Sequence, residues 1–392
     1  MYITSKCNGD VLTLAMEGRV DSSSAPNVEG EINSAVSATP HSSVVIDAEK
    51  LEYISSAGLR VILKLLKEQK KLEIINASSE VYDIFDMTGF SEMIPISKAY
   101  RRVSVENCEV IGKGANGEVY RLDPETIIKV YLHPDSLDDI KRERELARRA
   151  FVLGIPTAIS YDVVRVGESY GSVFELLNAK SLAKLVSEEP ENFDKYVGIF
   201  VDLLKKIHST QLKPHELPDI KDVVGQWTGR ITGHLPEDKY NKILELVAKT
   251  EDRCTMIHGD YHTKNVMIQN GEALLIDMDT LAEGHPVFEL GSVFNAFCGF
   301  SEVDHNTVER FLGMKYEKAR EFWEKTLRLY LDTDDEEYIK TVENKAKLVG
   351  YIRLFQRNIR TENYKTELGK AEYDAYKQRI LELLDLVDSL EF

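Results

Sequence analysis

The sequence predicts two folded bodies in series, a small α/β domain followed by a two-lobed α+β domain with a β-rich small lobe and a helical large lobe. Three observations carry this. Short apolar runs alternate with helical segments up to residue 98, a strand, glycine-rich turn and strand follow at 109–122, and long segments of helical period fill the chain beyond Lys180.

In the first body the apolar run Val11–Met16 predicts a strand, a polar segment after Asp21 a helix, and Ser43–Asp47 a second strand. Leu59, Ile62, Leu63 and Leu66 recur at helical spacing, predicting a helix over Ala57–Gln69; a strand at Leu72–Ile75 and a helix over Ser79–Met87, ending near Gly89, complete the unit. The polar stretch after Pro95 places a boundary near residue 100, so 1–98 is read as one domain and 99–107 as a linker. The second body divides into a small lobe, 108–178, and a helical lobe, 179–392. The small lobe should hold the hairpin EVIGKGANGEVYRL, a strand Thr126–Tyr131 and a charged helix from Leu137 to Leu153. Helices are expected at 192–209, 236–250, 303–330 and 335–389, with short apolar strands around 255–290.

A chain of 392 residues with 43% hydrophobic and 29% charged side chains is of ordinary globular composition. Its 66 acidic against 49 basic residues give a net charge of -17, which disfavours nucleic acid as a partner. The sequence has neither a membrane-length apolar run nor a signal-like N-terminus, so a cytoplasmic protein with no membrane partner is expected. Four scattered cysteines without CxxC spacing are read as reduced, mostly packing residues.

Gly112, Gly114 and Gly117 form GxGxxG, a spacing that lets backbone N–H groups approach phosphate oxygens; a glycine-rich turn alone would look the same. Gly117 runs into strand-like Glu118-Val119-Tyr120 and opens no helix, which favours a hairpin loop of the kinase kind over a dinucleotide fingerprint. Lys129 is a lone cation in an apolar strand, suited to nucleotide phosphates, and Glu143 on the following helix can hold it, with Glu145 as the alternative. The segment IHGDYHTKNVMI sets Asp260 five residues before Asn265, and Asp277 closes the apolar strand LLIDMDT. Phosphoryl transfer needs these parts: a carboxylate to orient an acceptor hydroxyl, here Asp260, and hard oxygen ligands for Mg²⁺, here Asn265 and Asp277.

From about residue 105 onward the chain resembles the aminoglycoside phosphotransferase and choline kinase-like branch of the protein-kinase-like fold, whose catalytic loop HGDxHxxN matches His258–Asn265. The resemblance implies ATP and Mg²⁺ as cofactors, Asp260 as catalytic base, Asn265 and Asp277 as metal ligands and Lys129 on the ATP phosphates. It also places the adenine hinge at VFELLNAKSL, with backbone groups from Glu175 to Leu177 as partners and Phe174 nearby. Two departures stand out. GKGANGEVY is closer to protein kinases than to this branch, and HPVFEL puts Glu289 where the branch usually has aspartate. His258 and His262 are read as braces of the loop.

EGRVDSSSAP and VVIDAEKLEYISSAGLRVIL resemble the STAS domain of anti-sigma factor antagonists, over residues 1 to about 98. That family accepts phosphate on a serine at a helix start, where the helix N-terminus stabilises the anion and the charge disrupts a protein interface. Here the motif reads Ile54-Ser55-Ser56-Ala57-Gly58, making Ser56, then Ser55, the candidate acceptors, with helix capping as the competing role.

The expected function is an ATP-dependent kinase for the hydroxyl of a small molecule, regulated or docked through STAS, with an anti-sigma-type signalling protein as a possible partner. Alternatives are a protein kinase for a STAS serine in cis or trans, and a non-enzymatic nucleotide-binding partner-switching protein. The acidic run Asp332, Asp334, Asp335, Glu336 and Glu337 would suit a polycationic substrate, or simply start a helix.

Overall fold

The computed structural model describes residues 2–114, 117–133 and 136–392; Ala115 and Asn116, the tip of the expected glycine loop, lie outside the described residues. The chain divides into two compact units, Met1–Ser104 with Val163–Glu168, and Val105–Asp162 with Ser169–Phe392.

The first unit is a five-stranded sheet in the order β1-β2-β3-β4-β5, with helices α1 (Ala25–Ala38), α2 (Ser56–Glu68) and α3 (Ser79–Met87). Strands β1 (Tyr2–Asn8) and β2 (Val11–Val20) form an antiparallel hairpin; β3 (Ser43–Ile54), β4 (Leu72–Ala77) and β5 (Ile96–Lys98) add in parallel. Leu12, Leu14 and Met16 alternate into the core, where they meet Ile46, Ile62 and Phe85. The apolar runs mark β2 and β3 but understate both: β2 continues past register shifts to buried Val20, and β3 to buried Leu51 and Ile54. Strand β1 carries no apolar signal because it is an exposed edge, held by backbone pairing from Tyr2–Glu17 to Asn8–Val11. Beyond β5 the Val103 N–H donates to the Arg165 carbonyl, and Arg165 N–H to that of Arg101, both at 2.9 Å.

In the second unit β6 (Glu109–Lys113), β7 (Gly117–Arg121), β8 (Thr126–Tyr131) and β10 (Ser169–Glu175) are successive antiparallel neighbours. Helix α4 (Leu137–Val152) follows β8, and β9 (Asp162–Val166) falls mostly to the first unit. The helical part begins with β11 (Lys180–Ser181), α5 (Leu182–Glu188), α6 (Phe193–Ser209), α7 (Ile220–Arg230) and α8 (Glu237–Lys249). Four short strands follow, β12 (Met256–Ile257), β13 (Val266–Gln269), β14 (Glu272–Leu275) and β15 (Ala282–Glu283). Helices α9 (Val287–Phe297), α10 (Asn306–Leu312), α11 (Tyr316–Leu331), α12 (Glu336–Arg360) and α13 (Glu367–Leu384) complete it.

The short strands expected around 255–290 are present as β12–β15, but α9 after them was not foreseen, because its every residue is buried and no polar face gives it a helical period; two other expectations need correction. The expected helix 303–330 is two, because Gly313 closes α10 in the left-handed region at φ +72°. The expected helix 335–389 is also two: Glu362 turns left-handed at φ +54°, and the Thr366 side chain caps α13 by accepting the Gly369 N–H at 3.0 Å. Of the four cysteines only Cys298 is buried, and Cys7 is exposed on the edge strand.

The active-site candidates in the cleft of the second unit

The catalytic-loop segment hangs from the two-strand pairing of β12 with β15 and turns at Gly259, whose φ is +82°. A Cβ there would collide with the Thr280 carbonyl oxygen, so only glycine fits the turn. Glu289, fully buried at the start of α9, accepts the backbone N–H of His258 and, at 3.0 and 3.1 Å, that of Gly259. Where aspartate is usual in the resembling branch, glutamate therefore clamps the turn. Burial pushes the Glu289 carboxyl up to about 7, against the lowering effect of those N–H donors and of Arg353.

Asp260 follows Gly259 with a partly exposed side chain. Its N–H donates to His258 Nδ1 at 3.3 Å while His258 Nε2 lies 3.3 Å from the Ile276 carbonyl, which assigns the proton to Nε2. Burial holds His258 below its ordinary pKa, so it is a neutral brace. His262 Nε2 approaches Asp260 Oδ2 at 3.5 Å and Arg353 Nη2 approaches Oδ1 at 3.4 Å. Burial works against the Asp260 charge, but His262 and Arg353 hold its carboxyl well below the usual carboxylate range. Arg353 also donates to the Gly259 carbonyl at 2.6 Å and to Ser292 Oγ at 2.7 Å.

Strands β13 and β14 form a hairpin around Asn270-Gly271, both left-handed at φ +53° and +86°, the residue pair such a tight turn requires. Its open end brings the other two candidates together, since Ile276 N–H donates to the Asn265 carbonyl at 3.0 Å. Asn265 Nδ2 donates to the Asp260 carbonyl at 3.0 Å, a bond that does not use its amide oxygen. Asp277 adopts φ +63°, a left-handed conformation that costs of order 1–3 kcal/mol in a non-glycine residue.

Lys129 joins the two lobes of the unit. Its Nζ lies 2.9 Å from Glu143 Oε1 and 3.1 Å from Asp277 Oδ1, and the Tyr131 hydroxyl donates to Glu143 at 2.8 Å. Burial opposes the charge, yet Asp277 and Glu143 outweigh it and raise the Lys129 pKa. Glu145 is engaged elsewhere, with Arg148 and Arg149 at 3.0 and 2.9 Å. Of the loop glycines, Gly117 is fixed by sterics because a Cβ would strike the Val130 carbonyl oxygen; Gly112 and Gly114 have room for one. Gly114 N–H closes the hairpin on the Gly117 carbonyl at 2.9 Å. At the hinge, Glu175 ends β10 opposite Thr126, Leu176 N–H is taken by the Glu125 carbonyl at 2.7 Å, and Leu177 follows half-buried.

Asp279 escaped the sequence reading although LLIDMDT displays it. Burial, then the Asp277 and Glu143 carboxylates, push its carboxyl up to about 7. Lys129 opposes that crowding of negative charge, which is of the kind a divalent ion neutralises. Among the described residues no three His, Cys, Asp or Glu side chains cluster closely enough to hold a metal by themselves. An oxygen pair such as Asn265 and Asp277 fits Mg²⁺, which takes few protein ligands and completes its shell with water and phosphate. Arg353 was also unforeseen, and nothing in the local sequence of α12 announces it.

In the first unit Ser55 caps α2, its side chain accepting the Gly58 N–H at 3.4 Å, and Ser56 is exposed as the first helical residue. Gly58 is required by packing, because a Cβ would lie 2.6 Å from Val20 Cγ1.

Comparison with known proteins agrees with both units. Residues 2–103 match the STAS domain and 107–322 the phosphotransferase enzyme family. BtrV of Bordetella bronchiseptica, named as an anti-sigma factor antagonist, is 32% identical over 103 residues, 25% of this chain and 88% of that protein. A thermostable mutant of the aminoglycoside phosphotransferase APH(4)-Ia, solved with ADP and hygromycin B, is 11% identical, with 72% of this chain and 95% of that one covered at a TM-score of 0.50. The amicoumacin kinase hAmiN, solved with AMP-PNP, Ca²⁺ and amicoumacin, is 12% identical, with 79% and 94% covered, also at 0.50. At such identities these two structures speak to the fold alone, while the family match spans more than half of the sequence. No helix among the described residues is long and apolar enough to cross a membrane. The chain belongs to the phosphotransferase enzyme family and carries a STAS domain ahead of its kinase-like unit.

Proposed function

We propose that the second unit transfers the γ-phosphoryl group of ATP to the hydroxyl of a small molecule, with STAS as its docking or regulatory module. The observation that carries this reading is the reach of Lys129 to Glu143 and Asp277 at once, at 2.9 and 3.1 Å, which joins the phosphate-facing strand to the expected metal ligand. Lys129 would hold the ATP phosphates, the hairpin of Gly112, Gly114 and Gly117 would cover them, and Glu175 and Leu177 would meet the base through their backbones. Asn265 and Asp277 would hold Mg²⁺, which when bound neutralises phosphate charge. Asp260 receives the acceptor hydroxyl; because its carboxyl is held so acidic, it serves chiefly to orient that hydroxyl and takes the proton late, as the new O–P bond forms.

The test is ADP release by the full chain across a panel of alcohols. Asp277→Ala should abolish metal-dependent turnover, and an unchanged rate would remove it from the metal site. Asp260→Ala should spare nucleotide binding while lowering turnover; lost binding would make its role structural. Binding of ATP with no turnover of any acceptor would favour a non-enzymatic partner-switching role.

One observation favours a second reading, a protein kinase for a STAS serine: Ser56 is exposed at the start of α2, and the Ser55 side chain is occupied as the cap. Phosphate mapped to Ser56 after incubation with Mg²⁺ and ATP, and absent from the Asp260→Ala chain, would establish it. The relation to anti-sigma factor antagonists suggests a signalling protein as the partner of the STAS surface.

A further inference from the structure

The surroundings of Asp260 carry cations laid on aromatic rings. His262, beside Asp260 Oδ2, packs edge-on against Phe311 with centroids 5.0 Å apart, and Lys264 Nζ lies 5.1 Å from the centre of the same ring. Phe311 meets Phe300 at 6.0 Å, and the Arg357 guanidinium lies 5.0 Å from the Phe300 centroid. One turn back along α12, Arg353 returns to Asp260 Oδ1 at 3.4 Å. These contacts close on themselves around the carboxylate that receives the acceptor.

Charge within this ring is unbalanced. Lys264 and Arg357 are exposed, and among the described residues neither forms an ion pair. The nearby carboxylates are already engaged. Glu302 receives the Tyr351 hydroxyl at 2.6 Å and Arg379 at 2.7 Å, Asp304 binds Arg310 at 2.6 Å, and Glu372, which feels the field of Arg357, accepts from Asn363 at 2.9 Å. In a chain of net charge -17, two exposed cations without an ion-pair partner, each laid on a ring of the chain of contacts that starts from Asp260, are unusual. The acidic run is no counterweight. Asp335 caps α12, Arg328 takes Glu336 at 2.6 Å, and helical rise puts Glu336 roughly 25 Å from Arg353 along α12.

We propose that the acceptor is a small alcohol bearing an anionic group, a carboxylate or a phosphate monoester, which Lys264 and Arg357 hold while its hydroxyl meets Asp260. The inference rests on the phosphotransferase reading of the site. In the transfer the acceptor O–H bond breaks and an O–P bond forms to the γ-phosphorus, as the bond from that phosphorus to the β,γ-bridging oxygen breaks. ADP and the phosphoryl ester leave, and the proton passes through Asp260 to solvent.

The test measures initial ADP release by the full chain with Mg²⁺ and ATP on glycerate, glycerol 3-phosphate, glycerol, choline and an aminoglycoside. The anionic alcohols should exceed the others in kcat/KM by about tenfold or more, an advantage that shrinks as salt screens it. Arg357→Glu and Lys264→Glu should invert the order, whereas Glu336→Gln, at the far end of α12, should leave it in place. Preference for neutral or cationic alcohols, or an order that survives both reversals, overturns the proposal. Calorimetric binding of the same five compounds with AMP-PNP reads the preference without turnover. Tighter binding of the cationic compounds there, or none by the anionic ones, overturns it too, while a chain that binds the anionic alcohols yet releases no ADP from any acceptor fails the phosphotransferase reading instead.

Discussion

The Gly259 turn holds two carboxyl groups, a partly exposed one on Asp260 and a fully buried one on Glu289, and their pKa values move in opposite directions. Asp260 is met by side chains that carry or can carry positive charge, and it is held far below the ordinary range. Glu289 receives backbone N–H groups from His258 and Gly259, yet its carboxyl is pushed up to about 7. Both also feel Arg353. The difference has two sources: Glu289 is fully enclosed and its hydrogen bonds come from neutral backbone dipoles, while Asp260 is partly exposed and is approached by His262 and Arg353. Asp260 is thereby kept ionised; Glu289 is a clamp on the turn.

The largest effect expected from breaking this pair is on turnover. Asp260→Asn should lower kcat by about 10²–10⁴-fold with little change in denaturant midpoint; a collapse in stability would make Asp260 a clamp as well. Glu289→Ala should do the reverse. It orphans the His258 and Gly259 N–H groups at about 1–3 kcal/mol each, so urea unfolding should show a loss of roughly 2–6 kcal/mol.

Next in size is the pH dependence of stability. An acid whose folded pKa is raised, from 4.5 to about 7 for Glu289, contributes stability that is complete below 4.5 and is lost as pH climbs to about 7. His208, whose Nε2 lies 4.0 Å from Glu289 and whose pKa is lowered by burial to about 3, works with the opposite sign below 6.5. Comparison with Glu289→Gln isolates the carboxyl: between pH 5 and 7.5 the wild type should lose about 2–3 kcal/mol relative to the variant. A constant difference would mean that Glu289 is ionised throughout. The smallest effect belongs to Arg353→Gln, which removes a cation from Asp260 and should move the acid limb of kcat/KM to higher pH, by about one unit or less. An unmoved limb would confine Arg353 to holding the turn.

The sequence displayed the groups whose neighbours are close along the chain or whose motif is contiguous. Lys129 stands out in β8 because its strand neighbours are apolar, Glu143 follows on the next helix, and Asp260, Asn265 and Asp277 lie in two short segments that one hairpin brings together. Helix α9 was illegible for want of a polar face, and the splitting of the two long C-terminal segments turned on single left-handed residues, Gly313 and Glu362. Arg353 was illegible for a different reason. Its role depends on the packing of α12 over α9, a long-range fact that no local spacing encodes.

Synthesis gives that distance a meaning in time. Arg353 follows Asp260 by 93 residues and lies beyond the segment 107–322 by which the family is recognised. At about 5–20 residues per second, the ribosome delivers the arginine roughly 5–20 s after the turn it completes. During that interval the nascent chain holds Asp260 and the Gly259 turn without the arginine that reaches both. The contact therefore forms only once residue 353 has been made, and a chain cut at residue 322 would lack it.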